Sequence, residues 1–115
     1  MKVIIAGGRD FDDYELLKNV CSQIIKPDWV VISGCAKGAD TLAIDYAKEF
    51  NIKYEEYPAN WNLHGKSAGS IRNREMLNAD ATHLIAFWDG KSSGTKNMIN
   101  IAKNANINVL VVKYS

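Results

Sequence analysis

At 115 residues the chain is long enough to bury a hydrophobic core without disulfide or metal crosslinks, and we expect a single domain over residues 1–115. Hydrophobic residues make up 47% and charged residues 23% of the chain, which is ordinary for a globular protein, and no apolar run is long enough to span a bilayer. The formal net charge of +1 excludes a strong general attraction to nucleic acid, although a local basic cluster could still supply one.

The cysteines and the start of the chain predict a cytoplasmic protein without a metal site. Cys21 and Cys35 form neither a CxxC pair nor a zinc-type set, and free thiols fit a reducing compartment. The apolar stretch after Met1 is too brief for a secretory signal. We expect Cys21 to lie in the core and Cys35 to fill a turn rather than to act as a nucleophile.

Five apolar runs separated by turn and helix signals predict five β-strands. The third run alternates and is charged, as is typical of an edge strand, whereas the others are nearly continuous apolar stretches. In chain order, the predicted strands cover residues 3–6, 28–33, 51–57, 82–87 and 106–113.

Four helices are predicted between these strands. The first begins near Asp12, with Glu15 completing a capping box, and ends at Lys26-Pro27. The second covers residues 41–50, the third residues 67–78, and the fourth has Met98, Ile99, Ala102 and Ala105 on its inner face.

Strands that alternate with helices, without hairpin signals, predict a parallel sheet covered on both faces. We therefore expect an α/β fold, a Rossmann-like three-layer α/β/α sandwich with a five-stranded parallel sheet in the order 3-2-1-4-5. In that order the small-residue turns after strands one, two and four open onto one crevice, where ligands of such folds bind.

The second turn is typical of a phosphate-binding loop. Gly34 and Gly38 allow a ligand to approach the backbone, and the first N–H groups of the next helix point toward it. Asp40 lies in the first helical turn, where it could cap the helix or hold a ribose hydroxyl, a metal or a reacting water.

Other side chains are expected in the same crevice. Arg9 and Arg72 favour a phosphorylated ligand, although both could instead form surface ion pairs, and Arg74 lies on nearly the opposite helical face. The polar segment 60–66 could fold over the crevice as a lid, with Trp61 either stacking on a base or anchoring the loop. Trp88 could likewise either stack on a base or anchor its segment to the core. His64 is expected to be exposed.

Four motifs in chain order resemble the YspA-like group of the SLOG superfamily, whose relatives include DprA/Smf and the LOG phosphoribohydrolases. They are Gly7-Gly8-Arg9-Asp10-Phe11, Ser33-Gly34-x-Ala36-x-Gly38-Ala39-Asp40, Arg72-Asn73-x-x-Met76 and Trp88-Asp89-Gly90-x-Ser92-x-Gly94-Thr95. The resemblance implies a Rossmann-like fold that binds nucleotides or nucleotide-derived small molecules.

One residue departs from the LOG enzymes. Where they carry Gly-Gly-x-Gly-Thr-x-x-Glu, this chain has Met98 in the position of the glutamate that acts in glycosidic cleavage. Since a methionine cannot transfer a proton, LOG-type hydrolysis would require Asp40 or Asp89 to take over that role, with Arg72 stabilising charge.

The leading hypothesis is a module that binds a nucleotide or a nucleotide-derived phosphorylated small molecule, as a sensor or ligand-presenting domain. The alternatives are a hydrolase acting on a nucleotide derivative, with Asp40, Arg72 and Asp89 as catalytic residues, and single-stranded DNA binding as in DprA.

A homodimer is expected from the resemblance and from the weak apolar stripe of the third helix. No particular cofactor is indicated. The residues expected to contact the ligand are Gly7, Gly8, Arg9, Asp10, Phe11, Ser33, Gly34, Ala36, Gly38, Ala39, Asp40, Trp61, Arg72, Asn73, Trp88, Asp89, Gly90, Ser92, Gly94 and Thr95.

Overall fold

A computed structural model describes residues 1–114 and contains one five-stranded sheet with helices on both faces. All strand pairs are parallel and the strand order is β3-β2-β1-β4-β5, which confirms the predicted fold. The elements in chain order are β1 (Lys2–Gly7), α1 (Tyr14–Ser22), β2 (Val30–Ser33), α2 (Ala39–Glu49), β3 (Lys53–Glu56), α3 (Trp61–His64), a 3₁₀ turn (Gly65–Ser67), α4 (Ala68–Leu77), β4 (His83–Trp88), α5 (Ser93–Asn104) and β5 (Asn108–Lys113).

The core lies in two clusters, one on each face of the sheet. Alternate residues of β1 point to opposite faces, so Val3 and Ile5 pack with α1 and α2, whereas Ile4 and Ala6 pack with α4 and α5. All four of these side chains are buried, because β1 is the central strand and helices cover both of its faces.

The two edges of the sheet differ in character. The β3 edge carries Lys53, Glu55 and Glu56, and charges on an edge strand discourage pairing with another chain, as predicted. The β5 edge is apolar from Val109 to Val112. On β5 the side chain of Leu110 is 41% exposed.

The cap of α1 differs by one residue from the prediction. The helix begins at Tyr14, and the Asp13 side chain accepts a hydrogen bond of 3.1 Å from the Leu16 N–H. Asp12 instead takes part in the preceding turn through its carbonyl oxygen, which accepts from the Tyr14 N–H. The capping-box pattern favoured Asp12, because Glu15 lies three residues after it, but aspartate is a good cap at either position and the backbone geometry selects Asp13. The helix also ends at Ser22, before the predicted Lys26-Pro27 stop.

The polar connection after β3 is not a plain loop. It contains the four-residue helix α3, in which the Asn60 side chain accepts a hydrogen bond of 3.0 Å from the Leu63 N–H. Gly65 ends this helix with a φ of +56°. A helix of one turn has no apolar periodicity, so the sequence pattern gave no sign of it. Within residues 1–114, no helix has the length and apolar character needed to cross a membrane.

Candidate functional site

A cleft of about 610 Å³ opens at the carboxyl ends of β1 and β4, where the direction of strand addition reverses. This volume is within the range of small-molecule sites. The cleft is lined by residues of the β1–α1 loop, the start of α2, the α3–α4 segment, and the β4–α5 loop with the start of α5. They are Ala6, Gly7, Gly8, Arg9, Asp10, Ala36, Asp40, Trp61, Lys66, Gly69, Ser70, Arg72, Asn73, Met76, Asp89, Ser92, Ser93, Gly94, Thr95, Asn97 and Met98.

Close backbone packing holds the first two loops together. The carbonyl of Gly8 accepts hydrogen bonds of 3.3 Å from the N–H groups of Phe11 and Ala39, which joins the β1–α1 loop to the start of α2. Gly38 has a φ of +80°, and a Cβ at this position would collide with the Gly8 carbonyl oxygen. The glycine is therefore required by both its backbone conformation and the approach of the two loops.

Asp40 is the buried carboxylate of the cleft. Its side chain Oδ2 accepts a hydrogen bond of 3.3 Å from the Ala36 N–H and lies 4.0 Å from Nη1 of Arg72. Ser33 fixes the same turn, because its hydroxyl donates a hydrogen bond of 2.8 Å to the Asp40 carbonyl. Burial raises the pKa of Asp40 to about 6, against the opposing effects of Arg72, the Ala36 N–H and Arg9. A carboxyl group that titrates near pH 6 can both accept and donate a proton near neutral pH.

Arg72 links three elements around the cleft. Its Nη1 donates to the carbonyl of Gly34, and its Nε donates a hydrogen bond of 3.1 Å to the side-chain oxygen of Asn73. Asn73 in turn donates to the Gly94 carbonyl at 3.3 Å and to the Asn97 side chain at 3.0 Å. The side chain of Arg72 is only 12% exposed. The network orients Arg72 and fixes α4 against both the β2–α2 loop and α5.

The polar face of α4 explains its weak apolar stripe. Gly69, Arg72, Asn73 and Met76 follow one another at helical spacing and all line the cleft. Part of the inward-facing side of α4 therefore lines the cleft instead of packing in the apolar core. Arg74 lies on the exposed side of the helix, as predicted.

Arg9 and Trp61 form the mouth of the cleft. The Arg9 guanidinium lies 5.9 Å from the centre of the Trp61 ring, within the range of a cation–π contact. Trp61 is 50% exposed, so it does not anchor its loop in the core. Its ring is accessible to a planar group that enters the cleft.

Asp89 organises the β4–α5 loop. Its Oδ1 accepts hydrogen bonds of 2.8 Å from the N–H groups of both Lys91 and Ser92. These bonds stabilise the carboxylate and lower the pKa of Asp89, so this side chain is a weaker proton acceptor than Asp40 at neutral pH. The Trp88 indole donates a hydrogen bond of 3.0 Å to the Ser92 carbonyl and thereby supports the same loop.

Seven of the residues expected to contact a ligand lie outside the cleft. Phe11 is buried and stacks on Phe87 with ring centres 4.8 Å apart, and Trp88 packs beneath the Lys113 ammonium at 5.4 Å. Gly34 lines a neighbouring smaller cavity instead. The remaining four, which are buried or shape the turns behind the cleft, are Ser33, Gly38, Ala39 and Gly90.

Several cleft residues were not predicted as ligand contacts. Gly69 and Met76 could have been found by following helical spacing from Arg72. Nothing in the sequence distinguishes Lys66 or Ser70 from other polar residues of their segment. The full set of these residues is Ala6, Lys66, Gly69, Ser70, Met76, Ser93, Asn97 and Met98.

Neither cysteine is activated. Cys21 is buried in the core, as predicted, and Cys35 lies in the turn after β2. Burial and the nearby carboxylate of Glu56 raise the pKa of Cys35 to about 11, so its thiol is protonated at neutral pH. Across residues 1–114, no group of three or more His, Cys, Asp and Glu side chains is arranged to hold a metal ion.

Known proteins resemble the chain in sequence and in fold. A model of the YspA, cpYpsA-related SLOG family matches residues 1–64. The Gene 61 protein of Mycobacterium phage D29 is 34% identical over 117 residues, which cover 95% of this chain and 94% of the phage protein. The X-ray structure of DNA processing protein A (DprA) from Streptococcus pneumoniae superimposes with a TM-score of 0.81 at 18% identity. That match covers 99% of this chain but half of the DprA chain, and it shows a shared fold.

Proposed function

The chain belongs to the YspA, cpYpsA-related SLOG family, and we propose that it binds a nucleotide or a nucleotide-derived phosphorylated small molecule in the cleft. Membership of this family and the fold shared with DprA fit a module that binds a nucleotide or DNA. The preference for a small molecule, and a role as a sensor or ligand-presenting module, are parts of the proposal.

The observation that carries the proposal is the presence in the cleft of two cations, Arg9 and Lys66, that form no ion pair with the residues the structure describes. Arg9 and Lys66 have no carboxylate within ion-pair distance among residues 1–114. The carboxylates of the cleft are already engaged within the protein, since Asp10 accepts from the Tyr114 hydroxyl at 2.7 Å and Asp89 from two backbone N–H groups. An incoming phosphate could therefore contact Arg9 and Lys66 without first breaking an ion pair within the protein.

Two further features favour an anionic, planar ligand. The amino-terminal ends of α2 and α5 both border the cleft, where their free N–H groups and helix dipoles favour a phosphate. Trp61 offers a ring face on which a base can stack.

The test is a thermal-shift and calorimetric screen of nucleoside mono- and diphosphates, because a ligand that binds the folded state raises its apparent stability. Arg9→Ala should weaken binding of a hit by about tenfold or more, since one charge-assisted contact is worth roughly 1.5–3 kcal/mol. Arg74→Ala, on the exposed side of α4, is the matched control and should bind normally. Failure of every nucleotide to bind, together with salt-dependent binding of an oligonucleotide, would favour DNA as the ligand.

A hydrolase is the second candidate, and it is favoured by the pairing of Asp40 with Arg72. Asp40, whose pKa is raised to about 6, is suited to remove a proton from an attacking water, and Arg72 at 4.0 Å is placed to stabilise developing negative charge. Asp40→Asn should abolish product formation from a bound nucleotide while preserving its binding. Unchanged product formation in this variant would exclude Asp40 as the base.

We also propose that the chain forms one domain and assembles as a homodimer in the cytoplasm. The dimer rests on the resemblance to the family alone, because the weak apolar stripe of α4 is accounted for by the cleft. The free cysteines Cys21 and Cys35 fit a reducing compartment. Light scattering at micromolar concentration tests the dimer, and the mass of a single chain would contradict it.

A further inference from the structure

A second, smaller cavity adjoins the cleft. Its volume is about 270 Å³, and it lies between the turn after β2 and the segment that leads from β3 to α3. Four residues border both spaces, namely Arg9, Ala36, Trp61 and Arg72. The cavity and the cleft are therefore neighbours on two sides of a wall that is made largely of the Arg9–Trp61 contact and the Arg72 guanidinium.

The size of the second cavity argues against an independent site. Small-molecule sites usually have volumes of at least about 300 Å³, and this cavity falls below that range on its own. As an extension of the 610 Å³ cleft, it would lengthen the space available to one ligand.

The cationic side chains at the wall favour a negatively charged group between the two spaces. Arg9 and Arg72 line both spaces, and Lys37 adds a third cation on the side of the second cavity. No acidic residue lines the second cavity. A negative group at the wall would contact both arginines, and the neutral units attached to that group would extend to either side.

We propose that the second cavity is the subsite for the second unit of a ligand in which two nucleoside units are joined through phosphate. The linking phosphate lies at Arg9 and Arg72, one nucleoside occupies the cleft, and the other passes Trp61 into the second cavity. This inference rests on the proposed nucleotide-binding function and specifies its ligand class.

The first test compares ligands by calorimetry on the native protein. Adenylyl-adenosine and diadenosine diphosphate should bind at least about tenfold more tightly than adenosine monophosphate, since only they fill both spaces. Equal affinity for one-unit and two-unit ligands would overturn the inference and leave the proposed nucleotide binding intact. Absence of binding by all three compounds and by their guanosine, cytidine and uridine counterparts would overturn both.

The second test uses variants that change only the second cavity. Lys37→Ala truncates a side chain that lines the second cavity but not the cleft, and Ala59→Phe fills the space of the second cavity, so both should lower the affinity for the two-unit ligands toward that for the monophosphate. Neither should change the affinity for the monophosphate itself. The matched variant Lys66→Ala, which alters only the cleft, should weaken all ligands to a similar extent.

The two Lys37 variants can still test the subsite if Ala59→Phe does not fold. Lys37 is exposed, so Lys37→Ala and Lys37→Glu should fold normally in circular dichroism even where Ala59→Phe does not. An unchanged preference for two-unit ligands in both Lys37 variants and in folded Ala59→Phe would overturn the subsite.

One further arm distinguishes a small dinucleotide from a nucleic acid strand. A short oligodeoxyadenylate that competes with adenylyl-adenosine, and loses affinity in the Lys37 variants, would support the subsite and identify a single strand as its source. An oligodeoxyadenylate that does not compete, while adenylyl-adenosine loses affinity in the Lys37 variants, would support the subsite with a small dinucleotide as the ligand.

Discussion

Asp40 combines burial with charge more strongly than any other residue of the described chain. It is the one charged residue buried among residues 1–114, at 5% exposure, and burial holds its pKa at about 6 against a usual value of 3.8. Between about pH 4 and 6 the folded protein therefore binds a proton that the unfolded chain has released. Ionisation of Asp40 is a cost to stability at neutral pH.

The first prediction concerns Asp40→Asn. In the native protein, the contribution of Asp40 makes the free energy of unfolding fall as pH rises from about 4 to 6, because the folded state holds the extra proton only below its raised pKa. At about 1.4 kcal/mol per unit of pKa, this contribution is on the order of 3 kcal/mol. Urea unfolding at several pH values should show that the difference between native protein and Asp40→Asn changes by about this amount.

Asp89→Asn is the control for this measurement. The pKa of Asp89 is lowered, so its contribution to stability is present above about pH 4 and is lost only at more acid pH. The profiles of the native protein and of this variant should run parallel between pH 4 and 6. Parallel profiles for Asp40→Asn as well would contradict the raised pKa of Asp40.

The second prediction compares two glycines. Gly38→Ala should lower the free energy of unfolding by at least about 2 kcal/mol, because a φ of +80° is strained for alanine and the new Cβ collides with the Gly8 carbonyl. Gly94→Ala, where a Cβ meets no atom within 4 Å, should leave stability unchanged or raise it by up to about 1 kcal/mol. Similar losses in both variants, measured by urea unfolding, would refute the packing argument.

The convergence of the cleft residues followed from sequence, but their orientation did not. The strand order brings Arg9 and Asp40, which follow β1 and β2, to the carboxyl ends of the central strands. Arg72 joins them from the first half of α4. Phe11 and Trp88 lie in the same motifs but pack behind the cleft, because a motif fixes position along the chain and not the direction of a side chain. Asn97 enters the site through its bond to Asn73, a contact between two helices that no local pattern encodes.

At the scale of elements, continuous apolar runs identified four of the five strands, and an alternating, charged run identified the edge strand β3. The apolar runs are clearest in β1, β2 and β4, because strands buried on both faces leave little room for polar residues. Element ends were less predictable. Polar residues of similar propensity surround each end, and hydrogen bonds to particular side chains decide between them. The one-turn helix α3, held by Asn60 and Gly65, is the extreme case.

The third prediction tests the observed cap of α1. Asp13→Ala removes the acceptor for the Leu16 N–H and should cost about 1 kcal/mol of stability. Asp12→Ala removes an exposed carboxylate one residue earlier, whose side chain caps nothing, and should change stability by less than about 0.5 kcal/mol. Thermal or urea unfolding measures both, and the reverse ranking would place the cap at Asp12.

At the scale of the whole molecule, one sheet separates two core clusters that share its strands. Leu17 belongs to the cluster under α1 and α2, and Ile99 belongs to the cluster under α4 and α5. Every strand at the centre of the sheet contributes side chains to both clusters. Loss of either cluster therefore exposes one face of the sheet on which the other cluster depends. The clusters should therefore unfold together.

The fourth prediction is a single cooperative transition. Leu17→Ala and Ile99→Ala should each lower the free energy of unfolding by roughly 2–5 kcal/mol and shift one common transition. Circular dichroism and tryptophan fluorescence should give coincident urea curves, since Trp29 lies in one cluster and Trp88 packs against the other. Separate transitions in either variant would indicate that the two faces unfold independently.

The unequal edges of the sheet have a consequence for the protein in concentrated solution. The β3 edge repels strands from other chains through its charges, whereas Val109–Val112 on β5 form an uncharged template whose Leu110 is exposed to solvent. Irreversible aggregation on heating or storage is therefore expected to start at β5, by addition of a strand from another chain. The substitution Leu110→Lys should slow this aggregation, because a charge on an edge strand acts as a gatekeeper.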